Sequence, residues 1–315
     1  MDRKQAMTIS AMKPQSVSVS GYLIRELLLP VLYRRRGTPL EKFYVDVARN
    51  RASGPALPSP KIRKQYEIRD EHGGVSRQFR LGRRTVHTRS TRILYIHGGA
   101  FVFDFLSSQW RIMTGLADRL DAEVVAPLYP LAPEHDVHEG LAMVRSTYLQ
   151  LVAEVGASRV AIVGDSAGGG LALKLVQDLE SQGLPAPAVL LLLFPWLDLA
   201  VDGEDQPDLQ VLDPLLDIDH LREAGRLWAG TNNCHAAEVS PLFGNIAHLP
   251  PTLVLVGTHD ILLSDARRFA KRAPGVVLRE YEGMFHGWVC APIPEARLAL
   301  DEAATFIAAH MKAVA

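Results

Sequence analysis

Beyond residue 92 the apolar positions fall into short, dense runs. "RILYIH", "AEVVAPLY", "RVAIVGD", "AVLLLLFPW", "PTLVLVG" and "GVVLREYE" follow one another, and most of the gaps hold a helically spaced segment such as "WRIMTGLADRL", "GLAMVRSTYLQLVAEV", "GGGLALKLVQDLESQ" or "SDARRFAKRA". Runs this apolar leave no polar face for water, so they predict strands covered on both sides. Their alternation with helices predicts a mostly parallel sheet flanked by helices. Before residue 92 the pattern differs. "SGYLIRELLLPVLYRRRG" and "PLEKFYVDVARNRASG" carry apolar residues at helical spacing, whereas "KQYEIRD", "VSRQFRL" and "RTVHTR" alternate apolar and polar as half-exposed antiparallel strands do. "SGPALPSP" reads as a linker and residues 1–15 as a frayed end. Over 200–245 the alternation is interrupted by an acidic, proline-rich stretch carrying the helical "DIDHLREAGRLWAG", which reads as an insertion above the sheet.

Composition narrows the class. The 315 residues are 48% hydrophobic and 22% charged, an ordinary globular balance. The longest apolar runs, "VLLLLFPWL" and "LLLPVLY", fall well short of the roughly 18 residues that suggest a membrane span. The first residues lack the apolar core of a secretory signal, and two cysteines, Cys234 and Cys290, make no disulfide framework. A cytoplasmic location without stable membrane insertion is the expectation. Charge is uneven: residues 1–92 carry 20 Lys and Arg against 7 Asp and Glu, the remainder 14 against 28. A basic arm can seek nucleic acid or anionic lipid. Here the basic residues are dispersed, with "RRR" at 34–36 the one run, and no aromatic-interleaved basic stripe accompanies them. The expectation is that the arm packs on the acidic remainder and that nucleic acid is not a partner.

Chemistry enters at "RVAIVGDSAGGGLALKLV". It contains Gly164-Asp165-Ser166-Ala167-Gly168, a G-x-S-x-G match between an apolar strand and a helical segment. That context is what a nucleophile elbow requires: small neighbours let the chain turn sharply and push the serine Oγ outward. A phosphate-binding turn is the competing reading, but the sequence has neither the P-loop lysine pattern nor G-x-G-x-x-G. A serine hydroxyl needs a base, and in this arrangement an acid and then a histidine follow it. Of eleven histidines, His286 and His310 lie late enough; His310 sits in a helical tail, whereas His286 follows the strand "VVLREY" in a loop. Asp260 follows the strand "PTLVLVG", with Asp265, at the start of the next helix, as rival acid.

"YIHGGAFVF" raises a separate question, because bare glycines after a buried strand mark a place of close approach. Acyl transfer builds a negative oxygen that backbone N–H groups stabilise, and side chains would block it. Gly98, Gly99 and Ala167 are the expected donors, and His97 the brace of the loop.

Together "HGGAF", "YPLAPEH", "GDSAGG", "FPWLDL", "SPLF", "GTHDILLSDA" and "FHGW" make residues 90–315 resemble the hormone-sensitive-lipase-like bacterial esterases of the α/β-hydrolase fold. The resemblance implies an α/β-hydrolase fold with a mostly parallel central sheet and a small helical cap. It implies a Ser166–Asp260–His286 triad, the oxyanion hole named above and no cofactor. The organisation expected is cap helices over 1–50, a catalytic domain over 51–199 and 241–315, and a cap insertion over 200–240. The chain departs from the family at Ala100, where a third glycine is common, and at "PEHDVHEG". His135 and His138 in that tract, with Glu134, Asp136 and Glu139, resemble a ligand set, but a surface loop opening a helix explains them and no metal is expected. Trp110, Trp196, Trp228, Phe101 and Trp288 could line an acyl pocket; a tryptophan is more often core, and Phe101 and Trp288, which adjoin the catalytic loops, are the stronger candidates. The expected activity is a serine carboxylesterase acting on short- to medium-chain acyl esters, its partner a small-molecule ester, with a homodimer left open. A receptor that has kept the fold without turnover, or an amidase or lactonase, are the alternatives. A complete triad argues against the receptor.

Overall fold

The computed structural model describes residues 17–32, 38–73, 76–85 and 90–311. The frayed end expected over 1–15, the run at 34–36 and most of "RTVHTR" lie outside them. Eight strands are described: β1 (Tyr66–Gly73), β2 (Ser76–Arg83), β3 (Arg92–Ile96), β4 (Glu123–Pro127), β5 (Val160–Asp165), β6 (Val189–Leu193), β7 (Thr252–His259) and β8 (Val277–Phe285). They form one sheet in the order β1-β2-β4-β3-β5-β6-β7-β8. β1 and β2 join antiparallel, β2 joins β4 antiparallel, and every later pairing is parallel.

The two sequence patterns account for this division. Every residue of β5 and β6 is buried, as a parallel strand between helical layers requires, while β1 at the edge keeps most of its residues at least partly exposed. Fully burying a Leu, Ile or Val of such strands stabilises the fold by on the order of 1.5–3 kcal/mol. Among the described residues eleven α-helices accompany the sheet: α1 (Val19–Leu23), α2 (Leu29–Leu32), α3 (Leu40–Ser53), α4 (Pro60–Gln65), α5 (Trp110–Leu120), α6 (Val137–Val155), α7 (Ala167–Ser181), α8 (Gln206–Leu212), α9 (Ile218–Ala229), α10 (Leu263–Arg272) and α11 (Pro294–His310). A π-helical segment, Ile24–Leu28, joins α1 to α2. α5 packs against α11 and α6 against α7. Among the described residues no helix is long and apolar enough to cross a membrane.

The basic first third meets the acidic remainder in defined ion pairs. Arg80 and Arg92 share Glu123 and Glu154, Arg69 also reaches Glu123 at 2.7 Å, and Arg51 reaches Glu134 at 3.2 Å. The "PEHDVHEG" tract opens α6: Asp136 accepts from the His138 amide at 2.9 Å, and Glu139 closes the reciprocal cap.

Candidate active site

β5 ends at Asp165 and α7 begins at Ala167, which leaves Ser166 alone in the turn with φ 53° and ψ −123°. That conformation costs a non-glycine residue on the order of 1–3 kcal/mol, so its surroundings must impose it. Three 2.9 Å backbone bonds do so: Ser166 donates to the Leu193 carbonyl and accepts from the amides of Trp196 and Gly169. The turn also closes too tightly for side chains. A Cβ on Gly168 would stand 2.1 Å from the Ile96 carbonyl oxygen, and one on Gly164 2.3 Å from that of Gly168.

The Ser166 Oγ lies 2.9 Å from His286 Nε2, and His286 Nδ1 lies 2.9 Å from Asp260 Oδ2. Asp260 stands one residue past β7 and His286 one residue past β8, so the ends of three parallel strands converge on one line. β8 runs to Phe285, beyond the "GVVLREYE" run seen in the sequence, and delivers His286 directly from its tip. Asp260 is fully buried and its Oδ1 accepts from the Leu262 amide at 2.9 Å. The edge of the Phe194 ring meets the imidazole at a centroid distance of 5.0 Å. Burial pulls His286 toward its neutral form. The charge and hydrogen bond of Asp260, then the charges of Asp213 and Asp165, outweigh this and hold it above its ordinary value of 6.5.

Asp265, the rival acid, is engaged elsewhere. Its Oδ2 accepts from the amides of Leu197 and Asp198, both at 2.9 Å, and its Oδ1 from Gln206 at 3.2 Å. Burial, then the charge of Asp198, pushes it up to about 8. His97 is buried, stacks on Tyr129 at 4.5 Å and puts Nδ1 2.8 Å from the Gly98 carbonyl, and burial lowers it to about 4. A neutral ring in that position braces the loop.

The loop differs from expectation at one donor. The Gly98 amide is already bound to Asp165 Oδ1 at 2.8 Å, so it is not free for an oxyanion. Among the described residues, the amides of Gly99 and Ala100 in the loop and of Ala167 after the serine have no protein acceptor. Ala100 and Phe101 adopt φ 50° and 61°, and that left-handed turn carries the chain around behind Gly99. Asp165 also accepts from Tyr95 Oη at 2.6 Å and from Gln109, which ties the loop to β3 and β5. Neither Asp165 nor Gln109 was singled out in the sequence; the "x" of G-x-S-x-G was the available signal for Asp165.

A cavity of about 500 Å³ opens over Ser166 and His286. Gly99, Ala100 and Phe103 line one part and Phe194 another, while Ile24, Leu28 and Leu29 from the N-terminal helices and Leu215, Leu216 and Leu221 from the insertion complete the apolar wall. Phe101 and Trp288 do not line it. Phe101 stacks flat on Trp228 at 4.5 Å, and Trp288, fully buried, packs on Tyr281 at 4.4 Å. Both are core residues, because their side chains turn inward from the loops that carry them; the phenylalanines that line the pocket are Phe103, Phe194 and Phe285. Another groove, of about 650 Å³ and lined by residues 244–251 and 272–276, contains none of the candidate residues. Among the described residues, Asp198, Asp202 and His235 each bring one metal-capable atom within 4.8 Å of the others, but Arg268 already pairs with Asp198 at 2.7 Å.

An eight-stranded, mostly parallel sheet with a strained serine between a strand and a helix defines an α/β-hydrolase. The sequence profile of the alpha/beta hydrolase fold family matches residues 93–290, and the chain belongs to that family, among its hormone-sensitive-lipase-like bacterial esterases. It is 38% identical over 223 residues to an esterase of Acinetobacter venetianus, covering 68% of this chain and 73% of that one. It is 34% identical over 223 residues to an acetyl-hydrolase of Streptomyces hygroscopicus, covering 68% and 74%. A crystal structure of a hormone-sensitive lipase from a metagenome library superposes with a TM-score of 0.80 at 27% identity, covering 90% of this chain and 97% of that one.

Proposed function

We propose that this carboxylic ester hydrolase works through a serine acyl-enzyme, with Ser166 as nucleophile, His286 as base and Asp260 as its orienting acid. The observation that carries the reading is the unbroken line from Asp260 Oδ2 through His286 to Ser166 Oγ, with both contacts at 2.9 Å. A carboxylate at Nδ1 accepts the proton there, which leaves the Nε2 lone pair facing the serine hydroxyl. His286 takes that proton as Oγ attacks the ester carbonyl. The amides of Gly99, Ala100 and Ala167 receive the developing oxyanion, each such donor being worth roughly 2.7–4 kcal/mol in another hydrolase. The imidazolium then protonates the departing alcohol. Water, deprotonated by the same nitrogen, attacks the acyl-enzyme, and the acid product leaves.

The apolar cavity supports esters of short to medium acyl chains, and the insertion with the N-terminal helices would act as the cap over it. A series of p-nitrophenyl esters of increasing acyl length tests this. Turnover is expected to peak at short to medium chains and to exceed that of matched amides and lactones. A preference for amides or lactones would move the assignment to those bonds, and binding without turnover would make the protein a receptor. The loop Gly98-Gly99-Ala100 carries almost no side chain beside the serine, so tert-butyl acetate is expected to turn over above background in the same panel.

The pH profile follows from the histidine. His286 must be neutral to act, and its neighbours raise it above 6.5. kcat/KM is therefore expected to rise with pH through an ionisation above that value. A flat profile from acid to alkaline pH would rule out His286 as base.

A further inference from the structure

Asp213 lies between α8 and α9, in the insertion, and takes no part in the steps above. Its side chain is buried, with 5% of the residue exposed. Oδ1 accepts from the amides of Leu215 and Leu216 at 2.8 and 2.9 Å, and Oδ2 accepts from the Ile261 amide at 3.0 Å. These three donors belong to two different parts of the site. Leu215 and Leu216 form the cavity wall, and Ile261 directly follows Asp260. One carboxylate therefore ties the substrate wall to the loop that carries the candidate acid.

Both oxygens are needed for this. An amide in the same place could accept from Leu215 and Leu216 but would turn its own N–H₂ toward the Ile261 N–H, leaving a buried donor unpaired. The carboxylate also contributes charge. The charged groups that face it are Asp260, from the loop after β7, and His286, from the tip of β8. Those that face His286 are Asp260, Asp213 and Asp165.

We propose that Asp213 is a positioning residue for ester hydrolysis, one whose carboxylate holds the Asp260 loop and the Leu215–Leu216 wall in a single arrangement. The inference rests on the reading of Ser166, His286 and Asp260 as the reacting groups. Burial, and then the charge of Asp260, push Asp213 up to about 6, so the clamp is complete above that pH and is released by protonation below it. Protonation of Asp213 then adds its loss to that of protonating His286 on the acid side.

The test is the pH dependence of kcat/KM for p-nitrophenyl butyrate in wild type, Ser166→Ala and Asp213→Asn, with thermal melts of all three. In wild type the logarithm of kcat/KM is expected to fall with a slope steeper than one on the acid side. In Asp213→Asn the slope falls to one, and the limb moves to lower pH because a negative charge near His286 is gone. At the pH optimum the variant loses about tenfold or more in kcat/KM through both a lower kcat and a higher KM, since the loop and the wall are released together. The wild-type slope is measurable even where Asp213→Asn does not fold. A slope of one in wild type overturns the inference, and so does a folded Asp213→Asn with an unshifted limb and kcat/KM within twofold of wild type. In both cases wild-type turnover that Ser166→Ala abolishes leaves the serine mechanism standing. Equal turnover by wild type and Ser166→Ala defeats the mechanism itself, and this inference with it.

Discussion

Ser166→Ala is expected to lower kcat for a p-nitrophenyl ester by roughly a million-fold and to leave the melting temperature within a few degrees of wild type. The size of the loss follows from the proposed chemistry: Ser166 Oγ, 2.9 Å from His286 Nε2, is the atom that would form the acyl bond. What remains is the electrostatic contribution of the loop amides and substrate binding, about 10³–10⁴ over water in a comparable triad enzyme. The small effect on stability follows from the turn. Alanine at position 166 inherits the same φ of 53°, so strain is nearly unchanged, and the main loss is the 2.9 Å bond to His286, about 1 kcal/mol. Single-turnover and steady-state rates on the purified variant check this. Residual turnover within tenfold of wild type, with contamination excluded by an inhibitor titration, would sink the serine mechanism.

Asp260→Asn is expected to lower kcat about 10⁴-fold. The reason is tautomeric. Asp260 Oδ1 accepts from the Leu262 amide at 2.9 Å, so the amide oxygen of an asparagine takes that place and its N–H₂ faces His286 Nδ1. The ring must then accept at Nδ1 and carry its proton on Nε2, where it has no lone pair for the serine. The counterpart is Asp265→Asn, expected to stay within about threefold of wild type in kcat/KM. Both backbone donors to Asp265 use the same oxygen, which an asparagine oxygen reproduces; the exchange removes the 3.2 Å acceptor of Gln206, which touches none of Ser166, His286 and Asp260, and at neutral pH a carboxyl pushed up to about 8 is mostly uncharged already. Measuring the two variants side by side separates the acids, and comparable losses in both would overturn the assignment of Asp260.

The fold was legible because its causes are local. Unbroken apolar runs such as "VAIVGD" can be satisfied only between two helical layers, and β5 is buried along its whole length. Ser166, Asp260 and His286 could be named because each stands at a strand end, a position that residue order reveals. What stayed hidden depends on direction. Nothing in "HGGAF" says which way each amide points, and the φ of 50° at Ala100 is set by tertiary contacts, not by alanine. The Gly98 amide was therefore expected in the oxyanion hole when it is bound to Asp165. Phe101 and Trp288 neighbour catalytic loops in sequence, but chain adjacency does not decide side-chain direction, and both rings turn into the core. Asp213 left no sequence signal, because its carboxylate meets the Ile261 amide across 48 residues of chain.

The cavity wall has one further consequence. Ile24, Leu28 and Leu29 belong to helices anchored to the body by Ser18 on Glu295 and Arg25 on the Gly283 carbonyl, and they lie outside residues 93–290, where this chain matches its family profile. Part of the wall that would meet a substrate thus lies outside the stretch that matches the family profile, while Leu215, Leu216 and Leu221 lie within it. Two members can agree at every reacting atom and still admit different molecules, because a change of a few leucines near the start of the chain reshapes the doorway without disturbing the serine. Exchanging this opening segment between relatives is accordingly the shortest route to a new substrate range on an unaltered catalytic body.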